Sequence, residues 1–283
     1  MKKYLKNLAI VSGLLIVLIF VLGVVRMQIV RSHSWKLDEK VHILFMGASH
    51  IMNGVDDSMM ETAVNWASSS ERYMFTYIKL HHLLPENPQI DTIFLELAAT
   101  DLWEDTDYKY HELNEQSHFV RTYWPLFKRE NWMIYKREPF QVLGLMISGL
   151  LSPNDLQRAG WWKSMGGYVA RDGVIDIAKK RELPNVIDGS GHEVNYYYLR
   201  QIIKLCKDNG IKLYFIETPV YEIEKVYDVD YYHKTYKENF SEVEFLDYSN
   251  WELPLEERSD GSHLNRIGAK HFTGELKKRF NIK

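Results

Sequence analysis

Two short segments far apart in the chain carry the residue types of a serine-nucleophile active site. The first is Gly47-Ala48-Ser49-His50, a small-residue turn that directly follows the apolar run Val41–Met46. The second is Asp260-Gly261-Ser262-His263, which lies in a loop before a helix-like segment. A serine hydroxyl is a poor nucleophile until a neighbouring base removes its proton, and a carboxylate often orients that base. The two segments therefore supply a candidate nucleophile, base and orienting acid in Ser49, His263 and Asp260.

Each of these residues also has a simpler structural explanation. A Gly-x-Ser after a strand is often only a turn, Asp260 could cap the helix that begins near Asn265, and His263 could be a solvated loop histidine. Against this, a two-residue gap on a loop lets the Asp260 carboxylate reach Nδ1 of His263 while Nε2 points at a serine. We favour the catalytic interpretation because both segments occur in one chain. It requires the fold to bring two distant loops into hydrogen-bonding contact.

Alternating strand and helix patterns predict a parallel α/β sheet that would position these loops. Ligands of open parallel sheets bind at the carboxyl ends of the strands. Ser49 lies three residues beyond the end of the first predicted strand and should therefore lie at that edge. The predicted strands cover residues 41–46, 92–97, 212–216 and 243–247, and the predicted helices cover 57–66, 72–84, about 195–208 and the segment after Asn265.

The N-terminal region predicts a membrane anchor. From Asn7 to Val25 the chain has 19 consecutive uncharged residues, mostly Leu, Ile and Val. At 1.5 Å per residue this run can cross a hydrocarbon core of about 30 Å. Basic residues lie on both sides of it, so charge specifies the orientation only weakly. The alternative is a cleaved secretory signal, which we disfavour because no small-x-small cleavage site follows the apolar run.

These patterns predict a domain organisation for a single-pass protein of the cell inner (cytoplasmic) membrane. Residues 1–6 would form a cytoplasmic tail, 7–25 the transmembrane anchor and 26–40 a stalk, with an extracytoplasmic domain over 41–283. Residues from about 106 to 191 are rich in Trp, Tyr and Gly and interrupt the alternation of strands and helices. We interpret them as an insertion. It could be a lid or substrate-recognition element or, with equal weight, a segment that only packs against the rest of the domain.

Composition excludes some function classes. The formal net charge of -3 argues against a general nucleic-acid binder, which would carry an excess of Lys and Arg. The single cysteine, Cys206, cannot form an intramolecular disulfide, and we interpret it as a buried inert thiol. The scattered histidines show no spacing typical of a metal site, and no dinucleotide or phosphate-binding glycine motif is present.

Both segments resemble the sequence blocks of one family. Asp260-Gly261-Ser262-His263-Leu264-Asn265, followed by Gly268-Ala269, resembles the Asp-x-x-His block of the SGNH/GDSL hydrolase family. Gly47-Ala48-Ser49-His50 resembles that family's nucleophile block in the variant found in membrane-anchored bacterial envelope members. The similarity covers about residues 41–105 and 195–280. It implies a flavodoxin-like three-layer α/β/α fold in which Ser49 attacks an ester carbonyl, His263 is the general base and Asp260 orients it, with no cofactor or metal.

The oxyanion donors that the family uses are only partly matched. The backbone N–H of Ser49 can donate one hydrogen bond, whereas the family's other donors are a Gly and an Asn. Ser70 stands at the expected Gly position, and Thr100 or a main-chain amide could substitute for the absent Asn. Asn53 could line the substrate pocket or serve a turn, with equal weight. His50 could contact the substrate, but we favour a structural role because the mechanism requires no second base.

The resemblance implies a membrane-anchored serine esterase or O-acyltransferase that forms an acyl-enzyme on Ser49. The expected substrate is an acylated cell-envelope glycan or similar polysaccharide, or a small ester. If the reaction is transfer, a multispanning membrane acyltransferase is the expected partner. The alternative is a catalytically silent glycan-binding or scaffold protein that retains the SGNH fold.

Overall fold

The computed structural model describes residues 1–102, 113–136, 138–150, 166–177, 193–221 and 228–283. The chain divides into two compact units. The first consists of Met1–Ser34 and Leu113–Trp161, and the second of Trp35–Glu112 and Trp162–Lys283. All of the predicted site residues belong to the second unit.

The second unit is built on a sheet in which every pair of neighbouring strands is parallel. The strand order is β2-β1-β3-β4-β5, which is the order of flavodoxin-like doubly wound folds. The predicted α/β fold with a parallel sheet is therefore confirmed. The strands are β1 (Ile43–Met46), β2 (Ala63–Asn65), β3 (Thr92–Glu96), β4 (Lys212–Glu217) and β5 (Glu244–Asp247).

Helices occur in both units. In the second unit, helices connect successive parallel strands, as crossover connections require, and one further helix follows β5. In chain order the helices are α1 (Lys2–Ser32), α2 (Ser49–Gly54), α3 (Tyr73–Leu83), α4 (Leu113–Tyr123), α5 (Arg129–Ile134), α6 (Pro139–Leu150), α7 (Glu193–Asp208), α8 (Val229–Asn239) and α9 (Arg266–Phe280).

Aromatic residues of the three central strands pack together in the core. The rings of Phe45 and Phe94 stack with centroids 4.7 Å apart, and Phe94 stacks on Tyr214 at 5.1 Å. These three residues lie opposite one another on β1, β3 and β4. The aromatic ladder fixes the register of the three strands, and with it the relative height of the loops that follow them.

The predicted helix over residues 57–66 is wrong. A short 3₁₀ turn, Asp57–Met59, precedes strand β2, whose residues pair with Ile43–Phe45 of β1. The Asp57 carboxylate accepts the backbone N–H of Asn65 at 2.9 Å, which holds the chain in an extended return path. Pairing along the edge of β1 overrides the local helical pattern, because it satisfies the backbone of β1 on that side.

Helix α1 of the first unit contains the predicted span and continues to Ser32, into the predicted stalk. By length and composition it can cross a membrane, a test that an N-terminal signal sequence would also pass. Near its end, Arg26 donates to the carbonyl of Gly149 at 2.7 Å and Arg31 to that of Pro125 at 2.9 Å. These bonds tie α1 to the segments around α4 and α6, whereas the predicted domain boundaries stay predictions.

Candidate active site

Ser49, His263 and Asp260 lie in direct hydrogen-bonding contact, although 214 positions separate the serine from the histidine. Nε2 of His263 lies 2.8 Å from Oγ of Ser49. Nδ1 of His263 lies 2.9 Å and 3.0 Å from the two carboxylate oxygens of Asp260. An ionised carboxylate only accepts, so Nδ1 carries the hydrogen and Nε2 is left to receive the serine proton. The structure thus brings the three predicted residues together in the geometry of nucleophile, base and orienting acid.

The serine is positioned by a tight turn between β1 and α2. Gly47 has a φ of 144°, a conformation that residues with a side chain rarely adopt. Oε2 of the buried Glu96 accepts the backbone N–H groups of Ala48 at 2.8 Å and of Ile51 at 3.1 Å. Burial raises the pKa of Glu96 to about 7. The Glu96 carboxylate at the end of β3 therefore holds the backbone before and after Ser49.

Gly47→Ala is expected to lower the free energy of unfolding by about 2–5 kcal/mol and to reduce activity strongly. A Cβ at this position would collide with the Cβ of Glu96, and the positive φ adds backbone strain. The measurement is denaturant unfolding of the purified protein. The control is Gly274→Ala, because a Cβ there meets no atom within 4 Å and alanine favours a helix interior. Equal stability of the two variants would contradict the close approach of Glu96.

The Asp260 side chain is fixed by its own loop. Its Oδ1 accepts the backbone N–H groups of Ser262 at 2.8 Å and His263 at 3.0 Å. Arg171 approaches Oδ2 at 3.1 Å. Burial by itself would raise the pKa of Asp260, but the hydrogen bond and charge of His263, the Ser262 amide and Arg171 together hold this pKa well below its usual range. The carboxylate therefore stays ionised and keeps its orienting role.

The pKa of His263 lies below its usual value of 6.5. Burial is the largest cause. The guanidinium of Arg171 and any positive charge on His50 act in the same direction, whereas Asp260 opposes them. The neutral imidazole, which can accept a proton, is therefore the resting form at neutral pH.

Part of the predicted insertion, residues 166–177, lies against the site. Its backbone bonds to the loop after β2 through Gly167 and Ala67 at 2.9 Å, and to α2 through Val169 and Met52 at 3.0 Å. The buried Asn53 donates to the carbonyl of Val169 at 2.8 Å, so its amide nitrogen holds this segment in place. Contact of Asn53 with substrate stays a prediction. No sequence pattern singled out Arg171, which belongs to the same segment.

The two other predicted oxyanion residues lie at the carboxyl edge of the sheet. The loop that carries Ser70 follows β2 and runs beside the nucleophile turn, since Ser68 donates to the carbonyl of Gly47 at 3.0 Å. Ser70 has a φ of 60°, in the left-handed region that glycine favours, which agrees with its placement at a glycine position. Thr100 lies in the 3₁₀ turn Ala99–Asp101, four residues beyond the end of β3. Their roles as hydrogen-bond donors stay predictions.

The loop after β2 is supported by a buried ion pair. Nζ of Lys79 lies 2.7 Å from a carboxylate oxygen of Glu71 and donates to the carbonyl of Trp66 at 2.5 Å. Both charged side chains are completely buried, so the charge of each depends on the opposite charge of the other to offset its loss of solvation. The pair therefore fixes the start of the segment that leads to Ser70.

A second histidine–carboxylate pair lies beside the first, and sequence reasoning missed it. Nδ1 of His50 lies 2.7 Å from Oε1 of Glu217, the last residue of β4. The rings of His50 and His263 meet edge to face, with centroids 5.4 Å apart. The available signal was a carboxylate at a strand's carboxyl end, at the edge where ligands bind.

A cavity in the described part of the chain lies apart from the triad. One cavity of about 390 Å³ is lined by Lys36, Trp66, Tyr168 and neighbouring residues and contains none of the three triad residues. Within the described ranges, no group of three or more His, Cys, Asp or Glu side chains is placed to hold a metal ion. The triad is therefore the arrangement to which we assign the chemistry.

The strand order and the Ser–His–Asp geometry define a doubly wound α/β protein with a serine-nucleophile site. The strand order is the one implied by the resemblance of the two sequence blocks to SGNH/GDSL hydrolases. No family model matches the sequence, and no curated protein matches it either.

The chain is similar to several solved structures. A protein from Streptococcus pneumonia, provisionally described as a platelet activating factor, has 15% identity and a TM-score of 0.45, with 96% of this chain and 98% of that chain covered. A provisionally described acylhydrolase from Bacteroides fragilis NCTC 9343 has 10% identity and a TM-score of 0.40, with coverage of 84% and 86%. A GDSL-like lipase from Bacteroides thetaiotaomicron VPI-5482 has 9% identity and a TM-score of 0.37, with coverage of 88% and 91%. With TM-scores below 0.5, these likenesses assign neither a fold nor a chemistry to this chain.

Proposed function

We propose that this protein is a serine esterase or O-acyltransferase that forms an acyl-enzyme on Ser49. The observation that carries the proposal is the 2.8 Å contact between Ser49 Oγ and His263 Nε2, with Asp260 bonded to the opposite ring nitrogen. This is the geometry in which an imidazole activates an alcohol for attack on a carbonyl.

The reaction runs through two tetrahedral states. His263 takes the proton of Ser49 as Oγ attacks the ester carbonyl, and Asp260 stabilises the imidazolium that forms. His263 then gives this proton to the leaving alcohol as its bond to the acyl carbon breaks. Water or an acceptor hydroxyl next loses a proton to His263 as its oxygen attacks the acyl carbon. The bond between that carbon and Ser49 Oγ then breaks, and His263 returns the proton to Oγ. Hydrolysis and transfer differ only in that acceptor.

Groups at the carboxyl edge of the sheet stabilise the oxyanion. The backbone N–H of Ser49 is one donor, and the loops of Ser70 and Thr100 supply the candidates for the others. One such donor contributes about 2.7–4 kcal/mol of transition-state stabilisation in serine proteases.

The proposed setting is the outer side of the cytoplasmic membrane, with α1 as a single-pass anchor and an acylated envelope glycan as substrate. The length and composition of α1 support the anchor. The proposed glycan substrate rests on the resemblance of the sequence motifs. The proposed partner in the case of transfer, a multispanning acyltransferase, rests on the same resemblance. The assembled triad weighs against the alternative of a catalytically silent scaffold.

A fluorophosphonate probe tests the proposal, because it reacts covalently with activated serines. The full chain in detergent is incubated with the probe, and the labelled peptide is identified by mass spectrometry. Labelling at Ser49, together with release of p-nitrophenol from p-nitrophenyl acetate, supports the enzyme. Absence of both, with retained binding to envelope glycan, would establish the scaffold instead.

The pH dependence of kcat/KM for p-nitrophenyl acetate is expected to have its acid-side midpoint below pH 6.5. His263 must be neutral to accept the serine proton, and its pKa is lowered, so activity is lost only as the pH falls through that lower value. Since Arg171 contributes to the lowering, Arg171→Met is expected to move the midpoint upward. A midpoint above 6.5 in the unmodified protein would contradict the burial of His263.

A further inference from the structure

We propose that His50, oriented by Glu217, binds the alcohol half of the ester by accepting a hydrogen bond from one of its hydroxyl groups. This inference rests on the proposed function and narrows its substrate class. The site would favour esters of polyhydroxylic alcohols such as sugars over esters that have no further hydroxyl.

The pair is built in the same way as Asp260 and His263. Glu217 is almost completely buried, and its Oε1 accepts both Nδ1–H of His50 at 2.7 Å and the backbone N–H of Thr218 at 2.8 Å. An ionised Glu217 carboxylate only accepts hydrogen bonds, and in that state the hydrogen of the His50 ring lies on Nδ1. The ring is thereby fixed in one tautomer and one orientation.

Nε2 of His50 is left for a group outside the protein. Among the described residues no protein atom bonds to it, and the side chain keeps 12% of its surface exposed. His263 gains a positive charge during the reaction, and a second charge on a ring 5.4 Å away would oppose this. With its ring hydrogen on Nδ1, an uncharged His50 has Nε2 as a hydrogen-bond acceptor.

The position of His50 assigns it to the alcohol side of the substrate. Nε2 of His263 must reach both Ser49 Oγ and the oxygen of the leaving alcohol, so this alcohol lies on the His263 side of the reacting carbon. His50 follows Ser49 directly in α2, and its ring packs against the ring of His263. A hydroxyl near the scissile oxygen therefore comes within reach of His50.

The test compares two substrates in a variant that keeps the structural contact. His50→Asn retains an amide N–H near the position of Nδ1 for Glu217 but removes the acceptor at Nε2. For methyl 6-O-acetyl-glucopyranoside we expect a loss of about 10- to 100-fold in kcat/KM, the effect of one hydrogen bond to a buried group. For p-nitrophenyl acetate, which has no further hydroxyl, we expect a clearly smaller loss, so that the ratio of the two kcat/KM values falls by about tenfold or more.

The matched control is His233→Asn, because His233 also pairs with a carboxylate, Asp247 at 2.7 Å. It should leave the ratio of the two kcat/KM values unchanged. Equal losses on both substrates in His50→Asn would show a purely structural role, and no loss on either would show no role. A wild-type protein that is labelled by fluorophosphonate but does not cleave the sugar ester would also overturn this inference alone. A wild-type protein that is not labelled would overturn the proposed function itself.

Discussion

Ser49→Ala is expected to lower kcat for ester hydrolysis by about 10⁶-fold and to abolish fluorophosphonate labelling. The hydroxyl that His263 contacts at 2.8 Å is the only triad group able to form the covalent intermediate. Losses of this size follow removal of the nucleophile from other triads, where binding and oxyanion donors supply the residual rate. The measurement is burst-phase and steady-state release of p-nitrophenol from p-nitrophenyl acetate.

The control for this variant is Ser69→Ala. Ser69 is an exposed serine in the loop after β2, next to Ser70, so its removal changes the same edge of the sheet without touching the triad. It should keep labelling and activity close to those of the unmodified protein. Labelling that persists in Ser49→Ala would contradict the assignment of the nucleophile.

Asp260→Asn is expected to lower kcat by about 10⁴-fold, the effect of this change in the chymotrypsin-type triad. An amide would offer an N–H to His263 and favour the tautomer with hydrogen on Nε2, which cannot receive the serine proton. The stabilisation of the imidazolium by the ionised carboxylate is lost as well. Because Oδ1 also accepts two backbone N–H groups, the variant must be shown to be folded, by circular dichroism and thermal unfolding.

Asp172→Asn is the control for this variant. Asp172 is exposed and pairs with Arg266 at 3.1 Å, so its charge lies on the same segment as Arg171 but outside the triad. It should retain activity within a few-fold of the unmodified protein. A loss of less than about tenfold in a folded Asp260→Asn variant would contradict the orienting role of Asp260.

The two predictions depend on the contact among Ser49, His263 and Asp260. The sequence patterns indicated this contact but gave no distances for it. Ser49 after an apolar run, and Asp260 and His263 before a helix, could be assigned roles because residue type and local spacing limit their chemistry. Parallel strands bring loops from distant parts of a chain to one edge, so the alternation of strands and helices was enough to predict the meeting. The strand patterns around Phe45, Phe94 and Tyr214 were equally readable, because their runs are short, apolar and bounded by turn residues.

Other parts could not be predicted, because their partners are distant in sequence and follow no pattern. Glu96 holds the nucleophile turn from 48 positions away, and Glu217 binds His50 across 167. In its local sequence, each of these two glutamates looks like an ordinary polar residue at the end of a strand. The same limit explains the error at residues 57–66, where pairing with β1 decides the structure of a segment whose own pattern resembles a helix.

The sequence by itself determined the chemical inventory of this protein: a serine on a tight turn, an Asp and a His on one loop, an apolar N-terminal run and an alternating α/β pattern. These follow from side-chain chemistry and short-range periodicity, which act within a few residues. Only the tertiary structure decided which buried carboxylate holds which backbone or ring, because those partners are selected by the register of the parallel strands. That register places Glu96 under the turn before Ser49 and Glu217 beside His50, and it gives the site a second oriented histidine.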